Sequence, residues 1–306
     1  MLVRARRVCL GLTLALLAVV AVGCGSRATR APLKHVAVWR MEPSERGIPA
    51  PRSLCVSTNG ELYVLDTVGR VLVYSPTGAL AREWSMPEVS VGRPEGIVEL
   101  RDGSILVADT HYHRLVRFSA SGEVLSLWGQ EGTEAGAFIY PVAVTQDPEG
   151  LIYVAEYGGN DRIQVFSETG GVLRSFGSFG TGEGQLQRCS GLAFLDGQLY
   201  VADAINNRIQ VYTPQGELTA SYARAGDVPF RFPYDITVTA AGELAVIEYT
   251  AGRIALINGR GDSLGHYGRT GRAEGEFATP WGIAAGADGR LFVADTGNHR
   301  IVVVQP

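Results

Sequence analysis

The chain has 306 residues, 27 basic against 31 acidic, for a formal net charge of −4, with 46% hydrophobic residues and 39 glycines. The acidic balance argues against binding nucleic acid by broad phosphate neutralisation. Four cysteines in this length exclude a disulfide-dense scaffold, and the glycine content suits an all-β fold with many turns.

The first 23 residues read as a targeting segment. Arg4, Arg6 and Arg7 form a basic start, Val8 to Val22 an apolar stretch, and Ala21-Val22-Gly23-Cys24 a small-residue cleavage site. The apolar stretch is short for a membrane span. This end resembles the lipobox of bacterial lipoproteins, which implies that Cys24 becomes the lipidated first residue; Ala21 stands where leucine is usual. A plain secretory signal is the alternative. Gly25 after the cysteine points to the outer membrane in a cell that has two. Removing residues 1–23 takes away three arginines and no acid, and carries the net charge from −4 to −7. Residues 24–32 read as a tether and 33–306 as one domain.

Along that domain one pattern recurs six times: a short strand ending in an acid, a loop, then arginine opening a second strand. In order the pairs are Asp66 with Arg70, Asp109 with Arg114, Glu156 with Arg162, Asp203 with Arg208, Glu248 with Arg253, and Asp295 with Arg300. The acids are 43, 47, 47, 45 and 47 residues apart. A period in the forties, rich in strand formers and turns, predicts a propeller with one four-stranded blade per repeat. An innermost strand A precedes each pair and shares Pro-x-small-aliphatic, from Pro51-Arg52-Ser53-Leu54 to Pro280-Trp281-Gly282-Ile283; in repeat four Cys189 takes the proline place. Strands B and C carry the acid and the arginine. Strand D ends near one aromatic in five repeats: Trp84, Trp128, Phe176, Tyr222 and Tyr267. The sixth repeat has no room for strand D before Pro306. Lys34 to Arg40 reads as a strand with Trp39 at the aromatic position, so this segment is predicted to complete the sixth blade and close the ring. Cys55 and Cys189 fall in opposite repeats, too far apart to bridge, and are predicted to be free, buried thiols.

These residues resemble the NHL-repeat family. Asp203-Ala204-Ile205-Asn206-Asn207-Arg208-Ile209-Gln210-Val211 and Asp295-Thr296-Gly297-Asn298-His299-Arg300-Ile301 carry the likeness most fully. It implies a six-bladed propeller over nearly all of 33–306. Its functional implication is broad: sensor domains of bacterial receptors, RNA- and protein-binding domains of larger regulators, and a zinc-dependent amidating lyase. Fold alone does not choose among them.

Six copies of one acid–arginine pair read as scaffold. Function is expected where the copies disagree. Strand A begins, and strand B ends, on one face of the ring. After the strand A proline the chain places Arg52, Glu95, Val142, Ser190, Tyr234 and Trp281; Asp235 replaces a small residue, and Tyr157 and Tyr249 follow the repeated acid. Arg52, Glu95, Tyr157, Tyr234, Asp235, Tyr249 and Trp281 therefore form a candidate ligand-binding rim. The resemblance to the lyase raises a zinc reading, but no inner strand carries a histidine. His35 and His266 fall in outermost strands, and His111, His113 and His299 in loops. Glu95 and Asp235 are the only acids at inner-strand starts, which leaves a calcium reading of the lactonase kind open. Ser190 has no histidine placed to activate it. The leading expectation is a monomeric, membrane-tethered binding module outside the cytoplasm, with no catalytic residue, metal or cofactor, recognising a protein, peptide or glycan. The alternative is a zinc- or calcium-dependent lyase or hydrolase.

Overall fold

The computed structural model describes residues 32–306. The signal segment, Cys24 and the tether up to residue 31 lie outside these residues. Six four-stranded antiparallel sheets stand in a ring. Their inner strands are Pro51–Val56, Gly96–Glu99, Tyr140–Gln146, Cys189–Leu195, Pro233–Val238 and Gly282–Ala285. Each packs on its two neighbours around the axis, the last against the first. The sixth sheet contains Gly282–Ala285, Leu291–Asp295 and Arg300–Gln305, and its outer strand is Lys34–Arg40. The predicted closure by the N-terminal strand is thus observed: Trp39 lies opposite Ile301 and Arg40 opposite Arg300.

Strand B is buried along its whole length in blades such as Leu62–Asp66 and Ile105–Asp109. Both of its faces meet a neighbouring blade, so it reads as a continuous apolar run rather than an alternating one. Strand D, at the rim, alternates or is exposed, as in Val172–Phe176. The cores lie between blades. Between blades six and one, Leu54, Val64, Tyr74, Phe292 and Val303 form one such cluster, with Trp39 packed against it.

The aromatic that ends strand D has a specific partner. It covers the glycine of the C–D turn in the next blade. A Cβ on Gly78 would lie 2.6 Å from the Trp39 ring, and one on Gly216 2.5 Å from Phe176. Both glycines also have positive φ, so the turn needs glycine twice over: for its backbone and for the ring above it. Cys55 and Cys189 are free, as predicted; Cys189 is buried, whereas Cys55 is only half-buried because it lines the central channel.

Candidate functional site

The acid–arginine pairs fasten the connectors that lead from strand D into the next strand A. All six acids are fully buried. The arginine Nε meets the acid at 2.8 Å in Arg70–Asp66, 2.9 Å in Arg114–Asp109, 2.7 Å in Arg208–Asp203, and 2.6 Å in Arg162–Glu156, Arg253–Glu248 and Arg300–Asp295. In blade four, Asp203 also accepts the Gln187 amide at 2.7 Å, while Arg208 donates to the carbonyls of Thr181, Gly182 and Gln185. Blade six repeats this with Ala278, Ala273 and Glu276. Burial pushes the Asp66, Asp109, Glu156 and Asp295 carboxyls up, and the arginine partners oppose it.

Two of the rim residues, Arg52 and Tyr234, owe their direction to a backbone irregularity. The pairing of strands A and B skips a residue between Pro51 and Ser53, Pro141 and Ala143, Cys189 and Gly191, and Pro233 and Asp235. Arg52, Val142, Ser190 and Tyr234 are the skipped residues. A bulge of this kind re-aims its side chain.

Most of the predicted rim converges on Glu95. Arg52 Nη2 donates to Glu95 Oε1 at 2.7 Å, and Arg188 Nη2 to Oε2 at 3.1 Å. The Tyr234 hydroxyl donates to Oε2 at 3.3 Å and accepts from Arg188 Nη2 at 2.8 Å. Tyr157 reaches Oε1 at 3.5 Å. The Arg52 guanidinium lies 4.3 Å from the Trp281 ring centre and that of Arg188 4.3 Å from Tyr157. Tyr234 packs on Trp281 at 5.1 Å and on Tyr249 at 5.9 Å, and Phe232 extends the stack. With Glu95 at 7% exposure and Tyr234 at 5%, this is a plug that fills the mouth, not an open rim. Burial opposes the charge on Arg188, but Tyr234 and Glu95 beside it carry its pKa above the usual value. Burial, then Glu95, push the Tyr234 hydroxyl up.

Asp235 lies apart from the other rim residues. It faces the central channel beneath the plug, where Oδ1 accepts the Ile236 amide at 2.8 Å and Oδ2 the Ile283 amide of blade six at 3.0 Å. Burial pushes its carboxyl up to about 7, against the pull of those two amides. The channel has a volume of about 290 Å³.

Beside the plug, between blades three and four, lies a groove of about 410 Å³ lined by Tyr157, Asp161, Phe179, Gln187, Arg188 and Ile205. Phe179 and Ile205 are half-exposed, at 55% and 49%. Buried Asp161 holds its floor by accepting the Arg188 amide at 2.5 Å and the Gly159 amide at 3.1 Å. Arg188 has a φ of 56°, as Phe232 and Thr279 at the same place in blades five and six have 55° and 42°, a backbone region that non-glycine residues rarely occupy. Of the groove residues only Tyr157 belongs to the predicted rim. Arg188 had a readable signal: one position before strand A the repeats again disagree, giving Ala50, Arg93, Tyr140, Arg188, Phe232 and Thr279. Phe179 and Ile205 had none beyond being apolar residues in loops.

Among the described residues no three His, Cys, Asp or Glu side chains are grouped so that they could hold a metal ion. Glu95 is taken by its two arginines. His111 and His113 pack against Tyr140, with centroids at 5.7 and 5.6 Å.

A family model for the NHL repeat matches residues 186–212 and 277–304. This is an NHL-repeat β-propeller. The propeller is 30% identical over 241 residues to the peptidyl-glycine alpha-amidating monooxygenase B of Xenopus laevis, covering 70% of this chain and 26% of that protein. It is 27% identical over 221 residues to the NHL repeat-containing protein 3 of Mus musculus, covering 62% of each. The chain therefore spans about a quarter of the first relative and under two thirds of the second. Among solved structures it is similar to a streptogramin B lyase, with a TM-score of 0.64, 16% identity, and coverage of 90% of this chain and 97% of that one. A gluconolactonase from Xanthomonas campestris gives a TM-score of 0.65 at 16% identity, covering 85% and 87%. At such identities the likeness is one of fold.

Proposed function

We propose that this propeller is a binding module, held outside the cytoplasm by a lipid on Cys24, that recognises a protein or peptide through the face on which strand A begins. The observation that supports this reading is the groove between blades three and four, where half-exposed Phe179 and Ile205 flank Tyr157 and Arg188. These residues lie outside the repeat pattern, and two apolar side chains left open beside a fixed guanidinium suit a contact surface. Arg52, Glu95 and Tyr234 serve this face as its support, since they are spent on one another.

The test is capture from a cell-envelope extract with purified wild type, Phe179→Ser/Ile205→Ser, and Leu125→Ser. Leu125 is an equally exposed apolar residue on the outer strand Val124–Trp128. A partner kept by wild type and by Leu125→Ser but lost from the groove variant is the expected result. Equal retention by all three would refute the reading. Stoichiometric zinc or calcium in the purified protein would favour the competing lyase or hydrolase.

A further inference from the structure

We infer that the central channel is a second ligand site, distinct from the groove: a blind pocket, reached from the face where the inner strands end, that takes a small ammonium ion.

The channel holds about 290 Å³, far more than the ~15 Å³ that a single water needs. Glu95, Arg52, Tyr234 and Trp281 close it at the strand-start end, which leaves the opposite mouth as the way in. Small and polar side chains, among them Ser53, Cys55, Thr145, Asp235 and Thr237, line it, while Leu54, Ile97, Val144, Leu192, Ile236 and Ile283 of the same strands are buried in the cores between blades. Such a lining leaves room for a small ligand and lets the polar groups at the blind end set its chemistry.

Two polar groups stand there without a full set of partners. The first is Asp235. Five blades place a small residue at this position, namely Ser53, Gly96, Ala143, Gly191 and Gly282; blade five alone places an acid. Asp235 lies hard against blade four, since a Cβ on Gly191 would come within 2.6 Å of its Cα. Its two hydrogen bonds are both to backbone amides, one to each oxygen. Each carboxylate oxygen can accept more than one bond. Among the described residues no lysine, arginine or histidine pairs with it, because Arg52 and Arg188 above are both held by Glu95. The other ionisable groups around the channel are Glu95 and Tyr234 in the plug and Cys55 along the wall. None of these supplies a positive charge. The second group is Ser190, beside Gly191. It lines the same channel, is 7% exposed, and its hydroxyl has no hydrogen-bond partner.

A carboxylate withdrawn from bulk water is costly to ionise without a counter-charge. Here that cost shows as a carboxyl pushed up to about 7. An ammonium supplies the missing charge and up to three donors, matching the open acceptor capacity of Asp235 and, after rotation about its χ1, the Ser190 hydroxyl. A neutral alcohol of the same length would fill the channel without the charge.

The test uses n-butylammonium chloride as the probe, titrated calorimetrically into the purified propeller at pH 8 and pH 5.5, with n-butanol as the uncharged competitor. Alkylammonium ions, like a lysine side chain, stay protonated across this range. Saturable binding at pH 8 is expected, at least ten-fold weaker at pH 5.5 and in Asp235→Asn, and undisturbed by n-butanol at equal concentration. Trp281, at the blind end, should report it as a fluorescence change. The groove variant Phe179→Ser/Ile205→Ser should bind the probe as wild type does, so failure of the groove and failure of the channel are read separately. No saturable binding at pH 8, or equal binding by wild type at the two pH values, overturns the inference whether or not Asp235→Asn folds.

Discussion

Asp235→Asn should make the stability of this propeller less sensitive to pH. In the folded chain burial pushes the carboxyl up to about 7, from an ordinary aspartate value of about 3.8. A raised folded pKa means that the folded state holds its proton more tightly. The stability this confers is complete below about pH 4 and is lost as pH rises through 7. The interval of about three pH units corresponds to about 4 kcal/mol at ~1.36 kcal/mol per unit. Asparagine cannot ionise and escapes that loss. It does give up one acceptor, leaving the Ile236 or the Ile283 amide unpaired at a cost of about 1–2 kcal/mol at any pH. The variant should therefore be roughly level with wild type near pH 4.5 and more stable by about 2–3 kcal/mol at pH 8. Urea unfolding of both proteins at the two pH values measures the difference, in which groups common to both cancel. A difference that does not change with pH, or one in which wild type gains as pH rises, would show that Asp235 is solvated or paired and would refute the reasoning.

Deleting Lys34–Arg40 should lower the melting midpoint of the whole ring, because it removes the outer strand of blade six and exposes Arg300–Gln305 as an edge; an unchanged midpoint would contradict closure. Trp39→Ala tests the same seam more gently, and about 3 kcal/mol is expected in chemical unfolding from the loss of packing on Tyr74 and Phe292. Arg208→Ala leaves Asp203 buried beside an unfastened connector, so a loss of about 3–5 kcal/mol is expected, with faster limited proteolysis between Gly180 and Gln185. Gly78→Ala should destabilise by roughly 1–3 kcal/mol through its positive φ and its clash with Trp39, while Gly242→Ala, with the same sign of φ but open space around it, should lose less; both are read as shifts in urea midpoint.

The fold was legible because a propeller writes its blade six times. Each apolar run ending in an acid and followed by Arg fixes where strands B and C lie, and the lone gap at the C-terminus, set beside Trp39 at the other end, gives the closure. The acid–arginine pairs read as scaffold for the same reason. The site was legible only in part. The residues after the strand A proline do gather at one mouth, but their identity does not say whether they face solvent or each other. That depends on the bulge in strand A, which turns Arg52 and Tyr234 onto Glu95, and no residue type announces the bulge. Arg188 sat one position outside the frame of comparison. Phe179 and Ile205 are ordinary loop residues until the connector folds back over blade four and leaves them uncovered.

The bulge also explains why the usable space lies away from the centre of the face. Four of the six inner strands carry the bulge, and where the bulged arginine and tyrosine meet a neighbouring glutamate and tryptophan the mouth fills. Three charges meet there, two guanidinium groups and one carboxylate. Opening the mouth to a ligand would require breaking a buried pair, which costs about 3–5 kcal/mol, before any new contact formed. Space that needs no such break remains in two places: outward, where Phe179 of the connector between blades three and four and Ile205 of blade four stay uncovered, and inward, where the channel runs on below the plug past Asp235 and Ser190. The closed mouth separates these two volumes, so a ligand in one has no direct path to the other, and substitutions in the groove and in the channel should act independently.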